Sequence, residues 1–576
     1  MRIKKVQTKN TLQYSIIQDI KKDGKRTTTI YENIGTIDKI KLRCGNEDPL
    51  TWLDNYVKEL NKKQKENNLP VIIEKYQNRL IPKDTKRLFN GGYLFLQQIY
   101  YDLKLNKICK DITDKYQFKF DLNNILSRLI YGRVLQPCSK IATYEFSKDL
   151  LEQPNFDSHQ VYRALEIIAK EDNFIQSELY KNSSKLSPRN NKILYYDCTN
   201  FFFEIDEAED DKQYGHSKEN KPNPIVQMGL FMDGDGIPLA FNITPGNQNE
   251  QKTLKPLEEQ IIKDFNLSKI VVCTDAGLAS KSNRLFNNKN DKCFITTQSI
   301  KKLKKELKDW ALDKTNWKLP GYENKVIDIS KLETNEELSK KFKDVTFYKE
   351  RWIKDGNLEQ RLIVTYSVKY RDYIRHIREG QIERAKKLIE SNPKKLGKVR
   401  QNDPKRFIDT VTTTKDGEVA DKNHYFLSQD KIDEEKQYDG YYAVCTNLKD
   451  NALEIIKVNH RRWEIEESFR IMKSEFEARP VYLKRQDRIK AHFMVCFIAL
   501  IIYRYLEKKL DNKYTVCEII DTLKNMTFLQ EKEIYYSPTY TRTDLTDLLH
   551  EKFGFRTDYE TIYLKNLKKI FNETKK

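Results

Sequence analysis

Cysteine occurs nine times, at 44, 109, 138, 198, 273, 293, 445, 496 and 517, yet no C-x-x-C pair and no histidine at partner spacing accompanies it. That scatter, with its odd total, excludes a disulfide framework and a structural zinc site and fits a reducing compartment. Long apolar runs are lacking as well. The longest, Phe493–Tyr503, has 11 residues between Lys490 and Arg504, short of the roughly 20 that span a bilayer, so it predicts a buried helix. The opening MRIKKVQTKN has no apolar segment behind its basic residues, which is not the pattern of a secretory signal. Internal repeats and low-complexity linkers are also missing.

Positive charge, in contrast, is abundant. The chain carries 104 Lys and Arg against 85 Asp and Glu, a net +19, and residues 1–150 hold 29 against 17, or +12 of it. A bias toward Lys, Asn and Ile throughout the chain accounts for part of the excess. Its concentration at the front predicts a polyanionic partner, nucleic acid first. At 576 residues the chain is too long for one core and predicts three or four structural units.

Residues 12–34 alternate apolar and polar side chains around KKDGK and predict a β-hairpin. Helical periodicity follows over 50–66 and 84–170, with Ser158 as a candidate cap. From Lys192 the pattern changes. KILYYDCTNFFFEI reads as a strand; IVQMGLFMD and IPLAFNIT are two more, joined by the turn sequence Asp233-Gly234-Asp235-Gly236. A helix (NEQKTLKPLEEQIIKDF), a buried strand (KIVVCTD), a helix near 280–288 and a strand (KCFITT) complete a βββαβαβ order. That order predicts a mixed α/β core. Residues 300–440 interrupt it with β-like pieces, a helical run and a charge of +8 over 351–400; YYAVCTN then resumes the core before a long helical region, about 451–508.

Two acidic residues stand out, the first where an apolar residue is the default. Asp197 lies in the middle of the first strand among Tyr195, Tyr196, Phe201 and Phe202, a costly place for a carboxylate without compensation. Asp275 ends KIVVCTD, at the C-terminal edge of the sheet, where α/β folds place ligands. In NHRRWEIEESFRIMKSEF, Asn459, Arg462, Glu466, Arg470 and Lys473 would form one polar stripe on a helix, beside an apolar stripe of Ile465, Phe469, Met472 and Phe476. Three carboxylates from two strands and a helix suit Mg²⁺, and two such ions can clamp an in-line displacement at phosphorus. Simpler fates compete: Asp275 can cap the next helix, and Glu466 can pair with Arg462 and Arg470 at i,i+4.

These residues resemble the DDE transposases of bacterial insertion sequences, whose helix signature is Tyr, two residues, Arg, three residues, Glu, six residues, Lys. Arg462, Glu466 and Lys473 stand at the matching intervals, while Asn459 replaces the Tyr, with His460 and Trp463 as neighbours that could take its role. Further blocks resemble the same family: LYYDCTNFFFE, GHSKENKP, GIPLAFNITPGNQNEQKTL, VVCTDAGLASKSN and RPVYLKRQDRIKAHFMVCFIAL, together spanning about 190–510. The separation 466 − 275 = 191 residues resembles the subgroup with a long, largely β-rich insertion.

The resemblance implies an α/β fold with a ribonuclease H-like mixed sheet flanked by helices, a large insertion before the last catalytic helix, and a helical N-terminal region. The expected division is a small β/α region at 1–80, a helical DNA-binding region at 81–185, core at 186–299, insertion at 300–439, core again at 440–530, and a C-terminal tail at 531–576 suited to dimerisation. Asp197, Asp275 and Glu466 would be the catalytic residues and hold two Mg²⁺ ions, for which Mn²⁺ can substitute. Arg462 and Lys473 would contact phosphates beside the cut. Asn459, Arg470, His216 and Lys218 complete the expected DNA contacts, although a solvated loop competes at 216–218. Tyr366, Ser367, Arg371, Arg375 and Arg378 are either a DNA-facing edge or a salt-bridged helix. The partners implied are double-stranded DNA, as transposon ends and target, and a second copy of the chain; the implied location is the bacterial cytoplasm, with the nucleoid. A related nuclease or resolvase without strand transfer, and a catalytically retired DNA-binding descendant, are the alternative readings.

Overall fold

Ile193–Phe202, rich in aromatic and β-branched side chains, forms strand β1 of a ten-stranded sheet in the computed structural model. The structure describes all residues except 8–10, 23, 24, 46, 68–72, 74, 266, 268, 290, 291, 392–402, 414–421 and 533. Strands β2 (Ile225–Asp233) and β3 (Pro238–Pro245) follow as an antiparallel hairpin beside β1. Gly236 takes φ +79° in the turn between them, a conformation that favours glycine. All nine residues of β2 are buried, as expected of a strand covered on both faces. Helix α1 (Leu254–Phe265) then leads to β4 (Val271–Thr274), and α2 (Lys281–Phe286) to β5 (Cys293–Thr297). Strand β4 is parallel to β1 and β5 parallel to β4. The order β3-β2-β1-β4-β5 is the ribonuclease H-like arrangement that the sequence resemblance implies.

The insertion continues this sheet instead of sitting apart from it. Its strands β6 (Trp317–Leu319), β7 (Tyr322–Ile327), β8 (Thr346–Asp355) and β9 (Leu358–Ser367) are joined to β5 through β10 (Tyr441–Thr446), giving the full order β7-β6-β8-β9-β10-β5-β4-β1-β2-β3. A second apolar cluster around Trp317, Leu362, Val364, Tyr366 and Tyr441 supports that half. Helix α3 (Val368–Glu390) is the helical run expected there.

The long helical region near the C-terminal end is broken into pieces. Helices α4 (Ala452–His460) and α5 (Trp463–Arg470) are separated by a turn, and a π-helical segment, Ile471–Glu475, follows α5. Helix α6 (Gln486–Lys509) carries the long apolar run; Ala491–Leu506 is buried throughout. It lies against the sheet, with Phe493 4.8 Å from Phe201 and Phe497 4.9 Å from Phe241 between ring centroids. The N-terminal helices pack on its other side, within one apolar cluster. In that region Asp157, not Ser158, caps the helix Ser158–Lys170, and its N–H donates to Gln160 Oε1 at 3.1 Å.

Residues 531–576 are not a free tail. Leu545, Leu549, Phe553, Phe555, Leu567 and Phe571 belong to the main core, and Phe95 stacks on Phe555 at 4.8 Å. A separate compact unit comprises residues 1–86 with 531–533. In it the strands Arg2–Gln7, Leu12–Lys22 and Lys25–Thr36 form an antiparallel sheet. Tyr14, Ile16, Ile34, Ile40 and Leu53 make its core. The expected hairpin is present, although its turn residues 23 and 24 lie outside the described residues.

Candidate functional site

Register decides where the two aspartates meet. Tyr196 on β1 is paired with Thr274 on β4, so Asp197 and Asp275 are the next step along two parallel neighbours, strands about 4.8 Å apart. The two residues therefore lie side by side where β4 ends, close enough for the charge of Asp275 to act on Asp197. Asp197 Oδ1 accepts the Cys198 N–H at 2.7 Å, and Asp275 Oδ1 accepts the Leu278 N–H at 2.9 Å. A Cβ on Gly277 would lie 3.2 Å from Asp275 Oδ2, so glycine there leaves that oxygen room. Burial pushes the Asp197 carboxyl up to about 6; Lys218 pulls it down, the charge of Asp275 adds to the rise, and Arg462 opposes it. A partly buried like-charge pair of hard oxygens is a donor set suited to a divalent cation.

Helix α4 is fastened over this edge by polar contacts. Tyr195 Oη donates to the Val458 carbonyl at 2.8 Å, and Asn459 Nδ2 donates to Tyr442 Oη at 2.7 Å. The turn at 461–462 then delivers Arg462 between the acids. Its guanidinium is 2.9 Å from Glu466 Oε1 and 3.9 Å from Asp197 Oδ2. Burial opposes the charge of Arg462, yet Glu466, Asp197 and Asp275 together raise its pKa. All three expected carboxylates thus gather around one cation, which belongs to the protein.

They do not close into a single ligand cage. Among the described residues no group of three or more His, Cys, Asp or Glu lies close enough to hold a metal ion. Asp197 and Asp275 fit such an ion as a pair. Glu466, with its side chain 55% exposed, is turned onto Arg462 in the i,i+4 pair that was its competing fate.

The cations fall into two groups. Lys218 Nζ donates to the Cys198 carbonyl, lies 3.4 Å from Glu250 and interacts with Asp197. Lys473 is paired with Glu219 at 2.9 Å, and burial lowers its pKa. His216 is exposed, and its carbonyl accepts a bond from Asn200. Arg470 is half exposed and lies 3.5–3.6 Å from Glu467 and Glu475.

Three readings need correction. The polar stripe is not continuous, because the turn after His460 and the π segment change the helical phase on both sides of Glu466. Asn459 is only 3% exposed, its amide committed to Tyr442 and Cys273, so in this structure it belongs to the packing of α4 and is not placed to touch DNA. In the insertion, Tyr366, Arg371 and Arg378 are buried. Arg378 is paired with Asp439 and Arg371 with Asp372, while Arg375 lies 3.4 Å from Asp439. This is the salt-bridged helix, not a DNA-facing edge. The sequence reading missed Arg479 and Glu219, which meet at 2.8 Å beside Lys473; both occur in the quoted blocks GHSKENKP and RPVYLK, but no local spacing links them.

The family described as "Transposase DDE domain" matches residues 200–354 and 357–502. Asp275 and Glu466 lie within that match, and Asp197 three residues before it. No curated protein matches the chain significantly. Among solved structures, the chain is similar to the piggyBac transposase in its synaptic complex with hairpin DNA, with 8% identity, a TM-score of 0.35, and coverage of 76% of this chain and 80% of that one. It is also similar to the Mos1 transposase in its paired-end complex with the left transposon end, with 12% identity, a TM-score of 0.13, and coverage of 44% and 69%.

Proposed function

The chain belongs to the DDE transposase family, and on that premise we propose that it is the transposase of a bacterial insertion sequence, acting as a homodimer on the element's two inverted-repeat ends in the cytoplasm. Family membership carries divalent-metal-dependent DNA cleavage and strand transfer. The ion we assign is Mg²⁺, in two copies, with Mn²⁺ as a substitute. When bound, such ions polarise the scissile phosphate and activate the attacking water or 3′-hydroxyl.

The observation that carries the reading is the pairing of Asp197 and Asp275 at one sheet edge, with Arg462 linking Asp197 to Glu466. Asp197 and Asp275 would hold the ions, joined by Glu466 once its carboxylate leaves Arg462. Arg462, released from the acids, is then placed to face the phosphate and offset the charge developing on it. Lys218, at the Cys198 carbonyl, keeps a positive charge beside Asp197 and favours its ionised form.

A supercoiled plasmid carrying two inverted-repeat ends, read separately for nicking and for joining, tests this. Asp197→Ala, Asp275→Ala and Glu466→Gln are each expected to abolish cleavage while DNA binding persists. Full cleavage by any one of them removes that residue from the assignment, and nicking without joined products replaces the transposase with a nuclease.

A further inference from the structure

One acid beside the catalytic edge is shared by too many bases. Glu219 Oε1 lies 2.9 Å from Lys473 Nζ and 2.8 Å from Arg479 Nε. The three side chains are largely shielded, at 21%, 12% and 29% exposure. Glu219 Oε1 and Arg479 Nε are nevertheless without a hydrogen bond of good geometry, so their contact is a bare charge pair. Lys473 stands over the Phe201 ring, while Arg479 and Lys221 stand over Phe202. The charge of Lys218 is close enough to disfavour protonation of Lys473. Four cations, Lys218, Lys221, Lys473 and Arg479, lie near three acids, Glu219, Glu250 and the Asp197 that Lys218 also faces, leaving a local charge of 4 − 3 = +1.

A carboxylate that offers one oxygen to two cations is a poor match for them. A phosphodiester spreads its single charge over two non-bridging oxygens set tetrahedrally about phosphorus, so a guanidinium and an ammonium can each take a separate oxygen. Position agrees. Phe201 is four residues beyond Asp197 on the same strand, roughly 13 Å at about 3.3 Å per residue, which is about four nucleotides along a duplex at 3.4 Å per strand charge. We propose that Glu219 is an internal stand-in for a backbone phosphate: it keeps Lys473 and Arg479 in place in the free protein, and a DNA phosphate about four nucleotides from the scissile one displaces it. This rests on the reading of the Asp197–Asp275 edge as a DNA-cleaving site and adds Arg479 and Glu219 to it as positioning residues.

The test measures binding of a labelled duplex by the full chain in chelator, where no cleavage occurs, over a range of salt. Glu219→Gln is expected to bind about three- to tenfold more tightly at ~0.1 M salt, with a salt slope steeper by about one to two phosphate contacts. Glu219→Asp, which keeps the charge, is expected to bind like the wild type. In a Lys473→Ala/Arg479→Ala background the gain from Glu219→Gln is expected to vanish. If Glu219→Gln binds equally or less tightly while melting at the wild-type temperature, or if the gain survives in the double variant, the proposal is overturned. Inorganic tripolyphosphate, titrated in parallel, separates the two claims. Tighter tripolyphosphate binding by Glu219→Gln with no duplex binding by any variant supports the anion site and overturns the DNA reading beneath it.

Discussion

The Asp197 carboxyl is stabilised in its neutral form by burial, and its pKa of about 6 against an ordinary 3.8 sets a stability cost with a definite sign. Below about pH 4 the group is protonated in the folded and unfolded chains alike and the cost is absent. As pH rises through 6 the folded chain must carry a buried charge, and 2.2 pKa units correspond to at most about 3 kcal/mol. Asp197→Asn is therefore expected to stabilise the metal-free protein at pH 7–8, by roughly 1–3 kcal/mol, and to lose that advantage near pH 4; denaturant melts in chelator at the two pH values check it. Mn²⁺ binding to the wild type should weaken as pH drops through 6, since the proton then competes with the ion for Asp197. Asp197 was legible in the sequence because it is a charge within an apolar strand, where burial demands a reason, and Asp275 because it directly follows a buried strand. Asn459 misled for the opposite reason. A polar residue at a signature position invites a ligand role, but only coordinates could show its amide spent on Tyr442 and Cys273. The Glu219 cluster was illegible because its members lie 254 and 260 residues apart (473 − 219 and 479 − 219) and no periodicity connects them.

At the scale of elements, the strands of the core were readable from alternation and turn chemistry, from β1 through the Asp-Gly-Asp-Gly hairpin to β5. The late helices were readable as helical but not in their breaks. Apolar spacings of three and four residues run unbroken across Ile465, Phe469, Met472 and Phe476, and nothing in them signals the turn at 461–462 or the π segment. What fixes α5, and so Glu466, is a buried cation on α6. Arg504 reaches Glu467 at 3.1 Å, Glu507 at 2.7 Å and the Ser468 hydroxyl at 3.0 Å. Removing one partner of such a network leaves uncompensated charge, which costs about 3–5 kcal/mol in buried cases. Arg504→Ala is expected to lower stability by roughly 2–4 kcal/mol in a denaturant melt and to reduce plasmid cleavage with it, because Glu466 rides on the same helix. Arg504→Lys should recover only part of either, lacking the planar fork that serves three acceptors. Unchanged melting and cleavage in Arg504→Ala would show that α5 is held by its apolar face alone.

For the whole molecule, the charge balance and the family resemblance predicted DNA as the partner. Residues 1–86, with 531–533, form one compact unit. The insertion extends the central sheet, and residues 534–576 belong to the larger unit and its core, since β10 and Phe555 find partners far away in sequence. Residues 1–86 hold 19 Lys and Arg against 11 Asp and Glu, +8 of the total +19. Duplex binding by the full chain is expected to weaken linearly in log–log salt plots, and a chain beginning at Arg87 should show a shallower slope. Equal slopes for the two chains would place the first 86 residues away from the DNA backbone.

Cleavage at the Asp197–Asp275 edge requires that this edge bind divalent cations. Electron paramagnetic resonance of Mn²⁺ titrated into the full chain measures this without any DNA or turnover. The prediction is saturable binding by the wild type, weakened at least tenfold by Asp197→Asn and by Asp275→Asn; wild-type affinity and stoichiometry in both variants would contradict it.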